Sequence, residues 1–123
     1  MSSQHIIGVL ADLFFMVKIS DAAKQAGMTV EYVKDPKGVL DKAKAKPAII
    51  IFDLNFEAAG PVELIAKLKS NPEFNGIDLI GFLSHVQEEL KRKAQEAGCD
   101  TVLARSAFSQ NLPLILKRYS GSV

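Results

Sequence analysis

Between Ala48 and Phe52 the chain places five apolar residues in a row, AIIIF, and follows them at once with Asp53. A strand with one wet face alternates apolar and polar side chains. This stretch does not, so it predicts a strand buried on both faces. Such strands belong to parallel sheets covered by helices on both sides. A carboxylate at the end of one either caps the next turn or stands in a crevice with chemistry to perform.

The rest of the chain supplies the helices. Short apolar runs at 5–11, 28–33, 48–53, 77–84 and 101–104 read as strands. Between and after them lie amphipathic stretches, FFMVKISDAAKQAG, PKGVLDKAKAK, PVELIAKLKSN, VQEELKRKAQEAG and SQNLPLILKRY. Gly27 and Gly98 stand where left-handed helix caps are wanted, and Pro36 and Pro61 suit first helical turns. Pro113 is tolerable only near the start of the last helix, which places that start near Ser109. Five strands alternating with five helices predict an α/β fold: a doubly wound, flavodoxin-like (βα)5 parallel sheet of strand order 2-1-3-4-5. The 123 residues form one domain, 1–123.

Composition narrows the function classes. Fifteen basic and fourteen acidic side chains leave a net charge near +1, with no electrostatic footprint for nucleic acid or an anionic membrane. No apolar run nears the roughly 18 residues of a membrane span, and the start MSSQHIIGVL lacks the basic region of a signal peptide. The lone Cys99 excludes an intramolecular disulfide and fits a packing role. A cytoplasmic setting is the expectation.

In this strand order the carboxyl ends of strands 1, 3, 4 and 5 adjoin, and functional crevices of doubly wound sheets lie there. Asp12, Asp53, Ser84-His85 and Arg105-Ser106 occupy those ends. Two carboxylates side by side suit a hard cation such as magnesium, while a hydroxyl and a guanidinium suit the oxygens of a tetrahedral anion. Together they describe phosphoryl transfer to a carboxylate.

On these residues the chain resembles a response-regulator receiver domain over nearly its whole length. The resemblance implies Asp53 as phosphoacceptor in a two-component phosphorelay, with Ser84 and Arg105 contacting the phosphoryl oxygens. It implies Mg2+ held by Asp12, Asp53 and the main-chain carbonyl of Asn55. It further implies a sensor histidine kinase or phosphotransfer protein as donor. A downstream protein, or a second copy as a homodimer, would dock through the fourth helix, fifth strand and fifth helix. No enzymatic activity is expected beyond magnesium-dependent self-phosphorylation and self-dephosphorylation.

The departures define a rival. Ala11 replaces the first of an acidic pair, which weakens magnesium binding, and Arg105 stands at a lysine position. Ser106 replaces a proline whose bond is usually cis. His85 follows Ser84 where a small residue is common, NFEAAG replaces the usual loop, and Val102 stands near an aromatic switch position. Together these favour a pseudo-receiver that binds proteins without phosphorylation, with Arg105 pairing with Asp53 or Asp12. Single residues also have plain structural roles: Asp12 as cap of the first helix, and Ser84 as cap of the fourth with Gln87 or Glu88. His5 opens the first strand far from the crevice, and KAKAK (42–46) reads as a solvated helix face. A flavodoxin-like nucleotide-binding enzyme is a third reading, opposed by LADLFF, which has no glycine where a phosphate loop would lie.

Overall fold

In the computed structural model, which describes residues 4–84 and 87–120, strand β1 (His5–Val9) leads into helix α1 (Leu13–Gln25). There follow β2 (Thr29–Tyr32), α2 (Pro36–Ala43), β3 (Ile49–Asp53), a short 3-10 turn (Glu57–Ala59) and α3 (Pro61–Ser70). The last elements are β4 (Asp78–Leu83), α4 (Glu88–Ala97), β5 (Thr101–Ala104) and α5 (Arg105–Tyr119). The five strands are parallel, in the order β2-β1-β3-β4-β5. This is the flavodoxin-like arrangement the alternation predicts.

The unbroken apolar run of β3 is explained by a core on each side of the sheet. Ile50 and Phe52 join a cluster with Val39, Leu64, Leu68 and Leu79, under α2, α3 and α4. Ile49 and Ile51 join another with Phe15, Ile19, Phe82, Phe108, Leu112 and Leu116, under α1 and α5. The strand period of two sends neighbours to opposite layers, and both layers are dry.

Helix ends follow local chemistry in part. Gly27 and Gly98 take φ of +73° and +111°, the left-handed stops expected of them. Asp12 caps α1, accepting from the main-chain N–H of Phe14 at 2.9 Å and Phe15 at 3.3 Å. Ser84 is not the cap of α4. That helix starts at Glu88, with Gln87 at the cap position and no side-chain cap bond, because Gln87 turns instead toward Asn55.

The largest difference from expectation is α5, which begins at Arg105, directly after β5, and not near Ser109. Pro113 therefore lies inside the helix, where it cannot donate to the carbonyl of Ser109. The position is exposed, so water can satisfy that carbonyl. Leu112 and Leu116 are buried and Leu114 is 56% exposed, while Tyr119 donates to Asp78 at 2.8 Å. The first turns of α1 also break the simple pattern: Leu13, Phe14 and Val17 are exposed, and Phe15 and Ile19 carry the packing.

Candidate functional site

The carboxyl end of the sheet brings three of the predicted side chains into one cluster. Asp53 closes β3 with its side chain only 6% exposed. Its Oδ1 accepts from the main-chain N–H of Asn55 at 2.9 Å, a turn bond local to the chain. The same oxygen lies 3.5 Å from a terminal nitrogen of Arg105, and the other terminal nitrogen lies 3.6 Å from Oδ2 of Asp12. One guanidinium thus spans two carboxylates from strand ends that adjoin only because β1 and β3 are neighbours. Both contacts are longer than a strong charge-assisted hydrogen bond, so attraction between charges dominates them.

Arg105 is held from the apolar side as well. Its guanidinium carbon lies 5.5 Å from the Phe15 ring centroid and 5.8 Å from that of Phe82, within cation–π range. Phe82 in turn stacks against Phe15 and against Phe108, at 4.7 and 4.6 Å. The Nε of Arg105 is buried and has no hydrogen-bond partner among the described residues. Side chains of Arg105 and Asp12 are each 34% exposed, so the cluster has one wet side.

Asn55 and Ser84 meet in a second network. Asn55 Nδ2 donates to Gln87 Oε1 at 2.6 Å, and the main-chain N–H of Ser84 is shared between Asn55 Oδ1 at 3.2 Å and Gln87 Oε1 at 3.1 Å. This clasp ties the end of β3 to the segment entering α4. Nothing in the sequence singled out Gln87 for it. The Asn55 carbonyl, expected to face a metal, accepts from the Glu57 N–H at 3.1 Å as the 3-10 turn begins. No peptide bond among the described residues is cis, Ser106 included. His85, the neighbour expected to crowd the acceptor, lies outside the described residues. His5 bonds Thr29 and lies 3.5 Å from Glu31, at the opposite end of β1. Val102 packs against the cluster beneath α4.

Burial raises the pKa of Asp53 above the ordinary aspartate value. The Asn55 N–H and the Arg105 charge pull it back in part, while the Asp12 charge adds to the rise. A raised native pKa means the folded state holds the proton more tightly than the unfolded chain. Stability should therefore fall as pH rises through the window between the ordinary and the raised value, and stay lower above it. Asp53→Asn removes that penalty and keeps an acceptor for the Asn55 N–H. It should be more stable than the parent at neutral pH, with the gain lost as pH falls through the raised value toward the ordinary aspartate value of about 4. Thermal melts of both proteins across pH 3 to 8 check this (a window set by ordinary carboxylate values, roughly 4). A variant less stable than the parent at neutral pH would refute the assignment.

As they stand, these groups do not fit a divalent ion. Among the described residues no three acidic, histidine or cysteine side chains gather to hold one. The two carboxylates that could begin a site already share a positive charge within 3.6 Å of each.

No family model matches the chain, and no curated protein matches it in sequence. Solved structures match its fold. The receiver domain of a sensor histidine kinase from Pseudomonas aeruginosa, with magnesium coordinated in its active site cleft, superposes with a TM-score of 0.80 at 18% identity. That match covers 98% of this chain and 100% of that one. The chemotaxis response regulator CheY4 of Vibrio cholerae gives 0.78 at 21% identity, over 97% and 99% of the two chains. A response regulator from Hahella chejuensis gives 0.82 at 15%, over 95% of each. The chain therefore has the fold of response-regulator receiver domains along nearly its whole length.

Proposed function

We propose that this chain is a receiver-like signalling module that acts by binding other proteins and does not use Asp53 as a phosphoryl acceptor. The observation that carries this reading is the state of Asp53: almost fully buried, bonded to Asn55 and bridged by Arg105 to Asp12. A phosphoryl donor needs an open carboxylate oxygen in line with its leaving group and a cation to offset charge in the transition state. Here the carboxylate is hemmed in, and the cation beside it is a side chain.

The binding face would be the one built by α4, β5 and α5. Helix α4 buries only Ala94, and Arg92 pairs along its outer surface with Glu89 and with Glu96 at 2.6 Å. Leu114 stands exposed on α5 nearby in the chain order of that face. A sensor kinase or phosphotransfer protein would then be a docking partner with no phosphoryl group passing to Asp53. Phosphoryl acceptance is the reading that replaces this one if the test fails.

The test is incubation of the purified protein with acetyl phosphate and magnesium, followed by intact mass measurement and amide spectra with beryllium fluoride. The expected result is no added phosphoryl mass and no shifts centred on Asp12, Asp53 and Ser84. A phosphoryl adduct that disappears in Asp53→Asn would overturn the proposal.

A further inference from the structure

The guanidinium of Arg105 stands where the carboxylates at the end of β3 and at the start of α1 can reach one positive centre, 3.5 Å from Asp53 and 3.6 Å from Asp12. We propose that Arg105 is a tethered counter-ion that takes the place of a divalent cation in this fold. The wild-type chain then excludes magnesium and manganese and holds its strand ends together without them. This deepens the proposed function and rests on its reading of Asp53 as a carboxylate that is not phosphorylated.

Three observations support it independently of any comparison. First, the guanidinium is seated: two aromatic rings lie on its apolar side, within 6 Å of its centre. A cation entering between the carboxylates would have to displace it, and the displaced group would give up both ion pairs and both ring contacts. Second, Nε stays buried although it lacks a hydrogen-bond partner. A side chain placed for hydrogen bonding would satisfy that donor. One placed for its charge need not, and the two carboxylates supply the reason for it to remain. Third, one oxygen of each of the three groups already accepts a main-chain N–H. Asp12 Oδ1 caps α1, Asp53 Oδ1 takes the Asn55 N–H, and the Asn55 carbonyl takes the Glu57 N–H. A hard divalent ion needs six or more oxygens in its shell, supplied by protein and water.

Charge decides what a substitution should do. Two carboxylates and one guanidinium sum to a net single negative charge, and without the guanidinium the pair would attract a divalent ion strongly. Arg105→Met keeps the length and the packing against Phe15 and Phe82 while removing the charge. Amide spectra with manganese as a paramagnetic probe read the outcome residue by residue. In the wild-type protein at about 1 mM manganese, a range where weak oxygen sites fill, signals of residues 12–14 and 53–55 should broaden no more than those of α4. In Arg105→Met the same signals should vanish selectively, return on adding a chelator, and be protected by excess magnesium.

Selective broadening in the wild type would overturn the proposal, and so would a folded Arg105→Met that stays silent. If Arg105→Met does not fold, Arg105→Gln serves, since it removes the charge while keeping a polar side chain of similar reach, and the same signals should broaden selectively. A folded Arg105→Gln that stays silent would also count against it. The two readings fail separately. Phosphoryl transfer to the wild type defeats the proposed function, whereas a silent Arg105→Met with an unphosphorylated wild type defeats only the counter-ion.

Discussion

Replacing Phe82 by alanine should cost about 4 kcal/mol of folding stability, or roughly 15 °C in Tm. The ring is fully buried, and it packs against both Phe15 and Phe108, with centroids 4.7 and 4.6 Å away. Removing it leaves a void beside two rigid rings on an interior strand of the sheet, a place with little freedom to collapse. It also removes one of the two rings beneath Arg105. Phe82→Leu, which keeps most of the volume, should cost about 1.5 kcal/mol or less. Urea denaturation of the three proteins measures both. A loss under about 1.5 kcal/mol for Phe82→Ala would mean that Phe15 and Phe108 close the gap, and that the aromatic stack is not what fixes this end of the core.

Arg105→Ala is the second large effect, at about 2 to 3 kcal/mol. Breaking a fully buried pair costs more than this, but a third of the Arg105 side-chain surface faces water, so the charge contribution is screened. Lost packing of the side-chain stem on Phe15 and Phe82 adds to it. The sharper expectation is coupling. With Asp53→Asn in the background, the cost of Arg105→Ala should fall by about half, because the carboxylate left behind is no longer charged. A double-mutant cycle by thermal or urea unfolding gives that number directly. Additive losses would show that Arg105 matters only as a packing group.

The same residues show how far the sequence can be read. The buried strand 48–53, the glycine stops and the cap at Asp12 are short-range matters, decided by neighbours in the chain, and periodicity exposes them. The start of α5 is not of this kind. Ala104 at its cap position offers no side-chain bond, and Pro113 argues locally for a later start. The earlier start buries Phe108 against Phe82 and Phe15, a gain made across the fold and invisible along it. Ser84 resembles a helix cap for the same reason that Gln87 escapes notice. The bond that decides between them runs to Asn55, 32 residues away from Gln87.

The site itself was half legible. Topology brings Asp12, Asp53 and Arg105 to one edge once strand order is known, and the spacing gives that order. Which partner the guanidinium chooses depends on side-chain reach and on the aromatic seat beneath it, and neither has a signature in the order of residues. Exposure of Leu13, Phe14 and Val17 is likewise hidden, since FFMV reads as core by composition alone.

Strand β5 ends at Ala104 and helix α5 begins at Arg105, with no residue between them. A hinge needs a loop residue or two whose backbone angles can absorb a turn, and this junction has none. The residue that grips the two aspartates is therefore also the first rung of a 15-residue rod. There is no slack in that linkage: if the grip lets go, the near end of the rod is released with it, and while it holds, the outer face bearing Leu114 stays anchored at that end.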